Sequence, residues 1–180
     1  MVDTAARLTD EILPAVPVRQ WVLSMPFEIR YRLAWDGDLV SAVLAVFLRV
    51  VYGWYRRQAR KQGHSDVRCG SVTFVQRFGS ALNCNPHFHV LMPDGAYVTG
   101  IDIEPTFVRA PALSDDDVQQ IVETTAHRVV RHCCSAGVCW KRARSIHCGS
   151  GSPCWPRSRL RRSRGRWPPA IVPGNECGAG

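Results

Sequence analysis

The sequence predicts an α+β domain built on an antiparallel sheet with flanking helices, followed by a disordered tail. Three observations predict it. Short β-branched or aromatic runs recur between residues 18 and 103, and the later ones are joined by links too short for crossover helices. Two longer stretches repeat apolar residues at helical spacing. From Cys133 onward neither period persists.

The elements follow in chain order. "AARLTDEIL" (5–13) reads as a short amphipathic helix stopped by Pro14 and Pro17. "VRQWVLSMP" (18–26) reads as a strand, with Trp21, Leu23 and Met25 on one face and Val22 and Ser24 on the other. A helix is predicted from Asp38 to Gln62, with Leu39, Val43, Val46, Val50 and Trp54 on its apolar face. Arg56, Arg57, Arg60 and Lys61 complement the dipole at its end, and Gly63 is a suitable stop. "GSVTFVQRF" (70–78), "HFHVLM" (87–92) and "AYVTGIDI" (96–103) read as three strands of an antiparallel meander. "GSALNCN" (79–85) and "PDG" are the links. Residues 114–132 read as a helix capped by Ser114, with three acids in its first turn.

The charge divides the chain at the same place as the pattern. Residues 1–132 carry 14 basic and 14 acidic residues; residues 133–180 carry nine basic residues and one acid, Glu176. The net charge of +8 therefore lies in the tail, with six of the eight cysteines. Only five Val, Ile, Leu, Met or Phe residues follow Cys133. Such a segment buries too little apolar area to offset its chain entropy. Two units result: 1–132, folded, and 133–180, basic and unstructured. No uncharged apolar run of about 18 residues is present, which argues against a membrane span. The N-terminus lacks the apolar core of a secretory signal, so a cytoplasmic location is expected, where eight cysteines need not mean disulfides.

"NPHFHVL" (85–91) carries the chemistry. In a strand, residues i and i+2 share a face, so His87 and His89 point together while Phe88, Val90 and Met92 face the core. Two imidazoles so placed can converge on one metal ion. An isolated His-x-His is more often structural, so the motif gains weight only from its surroundings. Gln76, Arg77, Asn83 and Asn85 flank it as candidate DNA-backbone contacts. Glu28, His64 and Asp94 are candidate third ligands, and spacing does not choose among them.

The stretch "VTFVQRFGSALNCNPHFHVLMPDGAYV" resembles rolling-circle transposases of the insertion-sequence common region type. These are two-tyrosine members of the His-hydrophobic-His (HUH) superfamily. "PVRQWVLSMPFEIRYRLAWD" and "RRQARKQG" add to the resemblance, which runs from about residue 7 to 132 and is densest over 72–97. It implies a five-stranded, mostly antiparallel sheet. It implies that His87 and His89 hold Mg²⁺ or Mn²⁺ with a third polar side chain. The partner implied is single-stranded DNA at transposon ends. The reaction implied is attack by a tyrosine on a later helix, giving a 5′-phosphotyrosine bond without ATP.

The chain departs from that pattern. Its four tyrosines are Tyr31, Tyr52, Tyr55 and Tyr97, and none follows Tyr97. The family's nucleophiles lie after the histidine strand, four residues apart. Tyr52 and Tyr55 precede it, three apart, and read as packing residues. No catalytic residue is assigned. The family's N-terminal cysteine-rich segment is also missing. The Arg-, Pro-, Ser-, Gly-, Cys- and Trp-rich tail reads as out-of-frame translation of a GC-rich gene. The expectation is a transposase remnant truncated at both ends, with nicking and rejoining lost. The rival expectation is a non-catalytic nucleic-acid-binding module. The tail itself has two rival readings: a zinc segment built on Cys133, Cys134, Cys139, His147, Cys148 and Cys154, whose spacing fits no strong zinc pattern, and a basic arm with six arginines between 157 and 166.

Overall fold

The computed structural model describes residues 7, 11–79, 81–100, 103–137 and 171–173. Most of the expected N-terminal helix, and most of the expected tail, lie outside these residues.

The chain is α+β; among the described residues it has two antiparallel sheets and three helices. Strand β1 (Val18–Ser24) leads to α1 (Phe27–Trp35) and α2 (Gly37–Lys61). Then come β2 (Val67–Arg68), β3 (Val72–Phe78), β4 (Cys84–Pro93), β5 (Gly95–Gly100) and β6 (Ile103–Arg109). Helix α3 (Asp115–Ser135) and a short β7 (Ile171–Pro173) complete the order. The larger sheet runs β3-β4-β1-β7 and the smaller β2-β5-β6.

The expected meander is thus divided. β4 pairs with β3 and β1, while β5 leaves to pair with β2 and β6. The cause lies at the β4–β5 corner. Asp94 is buried there, and both oxygens of its carboxylate accept from Arg19 of β1, each at 2.8 Å. Its backbone N–H donates to Pro17 O at 2.7 Å, and its carbonyl accepts from Ala110 N at 3.0 Å. These bonds anchor the corner to β1 on one side and to the end of β6 on the other. At Gly95 any Cβ would lie 2.2 Å from Val108 O, so only glycine admits β6 this close.

Helix α1 escaped the sequence reading because its apolar residues lie on both faces. Ile29 and Leu33 are buried, while Phe27, Tyr31 and Trp35 face solvent. Helix α2 matches its expected bounds to one residue. Its N-cap Asp36 accepts from Leu39 N at 3.0 Å, and that bond holds the carboxyl below the usual range. Gly63, at φ +92°, lies just past its end. By length and composition alone α2 is long and apolar enough to cross a bilayer, although Arg49 interrupts its uncharged run. Here its apolar stripe is a core face. Val43, Phe47, Val51, Trp54 and Tyr55 are almost fully buried and form one cluster with Trp21, Leu23, Phe88, Val90 and Met92 of the sheet. Each large side chain so buried contributes about 1.5–3 kcal/mol. Helix α3 packs on α2 through Ile121, Val122 and Val129. A reciprocal capping box between Ser114 and Asp117 starts it. It continues past the expected boundary through Ser135, burying Cys133. Ile171–Pro173, within the expected tail, pairs antiparallel with β1.

Candidate metal centre

β4 alternates as its sequence requires. Phe88, Val90 and Met92 are buried on the helix-covered face, and His87 and His89 lie half-buried on the other. The two rings stand 4.9 Å apart, centroid to centroid, at 66°. The register sets their neighbours. Ser24 of β1 and Gln76 of β3 flank His87; Val22 and Phe74 flank His89. The histidines thus stand on a strand paired on both sides, on the face that α2 does not cover.

Hydrogen bonds select the nitrogens. His87 Nδ1 lies 2.6 Å from the backbone oxygen of Asn85. A carbonyl only accepts, so Nδ1 carries the proton and Nε2 keeps its lone pair. His89 Nδ1 lies 2.7 Å from the side-chain amide of Gln20 on β1. With the amide nitrogen donating, the ring proton sits on Nε2. With the amide turned end for end, its oxygen accepts from Nδ1–H and Nε2 is freed. Burial, and then the charge of His87, depress the pKa of His89, which keeps that ring neutral as a metal ligand must be. Beside the pair, Asn85 Oδ1 is buried and lacks a hydrogen-bond partner. An orphaned acceptor on the face that carries two imidazoles suits a cation.

The sequence-derived candidates separate. Gln76 shares the histidine face, directly opposite His87. Asn85 adjoins His87 through its carbonyl and carries the orphaned oxygen. Arg77, one residue on from Gln76, faces the other way; its Nη1 donates to Ala34 O of α1 at 3.2 Å. Asn83 is exposed in the β3–β4 turn, where its carbonyl accepts from Gly79 N. Asp94 is taken up by Arg19 and by Tyr55 Oη, which donates to it at 3.1 Å. Among the described residues no third His, Cys, Asp or Glu, Glu28 and His64 included, completes a metal-sized cluster with the pair. Gln20 was missed. Its place on the polar face of β1 is legible, but the register that carries it to His89 is not.

Tyr52 and Tyr55 are packing residues. Tyr52 Oη bonds Ser71 Oγ at 2.6 Å. Tyr55 meets Trp21 edge-on, on the face of the sheet opposite the histidines. Tyr31 is exposed on α1, and Tyr97 lies on β5 of the smaller sheet.

Residues 70–147 match the model of a family described as "Putative transposase". The matched segment contains β3, β4 and the histidine pair, and it runs past Cys133. It supports a transposase-related function. No curated protein and no solved structure matches the chain.

Proposed function

We propose that the chain carries the metal- and phosphate-binding part of an HUH-type DNA transposase, with His87 and His89 as ligands to Mg²⁺ or Mn²⁺ through their Nε2 atoms. One observation carries this reading: both Nδ1 atoms are engaged, by Asn85 O and the Gln20 amide, on the face that α2 does not cover. In many metal sites a partner on the second ring nitrogen fixes the imidazole for ligation in this way. The Asn85 side-chain oxygen, which has no hydrogen-bond partner, supplies oxygen for a third position. Imidazole with amide oxygen favours manganese over magnesium.

A bound divalent ion would supply positive charge to polarise a DNA phosphodiester. The chain's own residues orient that ion and the strand. Gln76 and Ser24 flank the ligand pair and can donate to phosphate oxygens. Phe74, 41% exposed beside His89, offers a ring on which a base can stack. The partner is single-stranded DNA at transposon ends. The strands carrying this face hold no tyrosine on it, which favours binding without strand transfer by these residues.

The test uses a fluorescent single-stranded oligonucleotide with the full chain. Binding should strengthen at least several-fold with Mn²⁺, and His87→Ala/His89→Ala should abolish that increment. No covalent protein–DNA adduct should form. A metal increment that survives the double substitution refutes the ligand assignment, and a covalent adduct refutes the non-catalytic reading.

A further inference from the structure

The seam between α2 and α3 holds a cleft of about 280 Å³. Arg49, Gly53 and Arg57 form its α2 wall; Gln120, Thr124 and Arg128 form its α3 wall. Each wall is an i, i+4, i+8 row, so its three residues lie along one helix face. Val50 and Ile121, both buried, make the floor.

Three cations line this cleft and no acid does. Among the described residues none of the three arginines forms a salt bridge. Arg49 spends only its Nε, on Ala45 O at 3.0 Å. Of the acids on α3, Asp117 accepts from Trp54 Nε1 and Glu123 from Gln119, while Asp116 lies one turn before Gln120, outside the lining. Gly53 is unusual in the middle of a 25-residue helix. A Cβ there would lie 3.6 Å from Arg57 Nη1, so the guanidinium leans across bare backbone.

We propose that this cleft is a second phosphate-binding site, which takes the backbone of a nucleic-acid strand independently of the histidine pair. Guanidinium groups recognise phosphate oxygens bidentately, and Gln120 and Thr124 add neutral donors. The volume falls just below the range of about 300–1,000 Å³ typical of whole small-molecule ligands, and suits phosphate groups. Arg49 and Arg57 are eight residues apart, about 12 Å along a helix. One free anion does not span that row; successive phosphates of a strand do. The cleft lies on the far side of the sheet from His87 and His89, because α2 packs on the opposite face and α3 packs on α2. It is therefore a separate contact.

The experiment compares the full chain with Arg57→Gln/Arg128→Gln, both exposed positions that the fold does not need. The probes are a dT oligonucleotide and inorganic phosphate. Arginine Nε–Hε NMR signals report the site, and the salt dependence of oligonucleotide binding counts contacts. Saturable shifts of Arg49, Arg57 and Arg128 with the oligonucleotide are expected, unchanged in His87→Ala/His89→Ala. The double arginine variant should lower the log–log salt slope by about 1.4, since each single-strand phosphate contact contributes about 0.7. An unchanged slope, or shifts confined to arginines outside the cleft, overturns the proposal. Inorganic phosphate binding as tightly as the oligonucleotide overturns it too, because the site would then serve a free anion. Failure of the histidine pair to bind metal leaves this result unaffected.

Discussion

Two hydrogen bonds decide what His87 and His89 can offer a ligand. The backbone of Asn85 fixes one ring, and that bond survives any side-chain change. The Gln20 amide holds the other, and substitution removes it. Gln20→Leu should therefore weaken Mn²⁺ binding about 10–100-fold, the usual effect of losing a partner to a ligating imidazole. Calorimetric titration reads it, and an unaltered affinity would remove Gln20 from the site. A different residue governs alkaline stability. Burial, and then the charge of Asp94, hold Tyr55 protonated well above the ordinary tyrosine value of about 10. Below that value both folded and unfolded chains keep the phenol neutral, and its contribution is complete. Above it the unfolded chain ionises first, so stability falls as pH rises past about 10. Urea melts across that range should show the decline, and Tyr55→Phe should flatten it. An equal decline in the variant would assign the effect elsewhere.

Among the elements, α2 reconciles a core face with a groove. Its sheet-facing stripe was legible because Leu39, Val43, Val46, Val50 and Trp54 keep one period. Gly53, outside that stripe, lowers intrinsic helix stability by about 0.5–1 kcal/mol relative to alanine. Its Cβ position has only an ordinary contact. Gly53→Ala should thus raise stability by up to that amount, measured in urea, while narrowing the arginine cleft. Loss of stability would show that the backbone there is more constrained than its surroundings imply. β4 was equally legible, since strict alternation placed both histidines on one face. α1 was not, because apolar residues on both sides of a nine-residue helix hide its period. Nor was the division of the meander. It depends on Asp94 meeting Arg19, 75 residues earlier, and no local pattern contains that pairing. The same limit hid Gln20, 69 residues from His89.

For the molecule as a whole, the Arg19–Asp94 pair ties the two sheets together. Its side chains are 10% and 3% exposed, so removing one partner strands a buried charge. Asp94→Ala should cost about 3–5 kcal/mol, enough to unfold a domain of ordinary stability. Thermal denaturation measures it; a loss below about 1 kcal/mol would mean that water reaches the corner. The larger sheet turns one face to the helices and leaves the histidine face uncovered by them, while the arginine cleft lies beyond α2. One molecule thus presents two chemically different surfaces to a phosphate backbone, a candidate metal centre and a cluster of guanidinium groups. The central claim concerns the first of them. Pulsed EPR of the Mn²⁺-loaded chain, with ¹⁵N-labelled histidine, addresses it most directly. The account predicts couplings from two imidazole nitrogens, one lost in His87→Ala and the other in His89→Ala. Manganese without imidazole coupling, or with coupling that persists in the double variant, would contradict it.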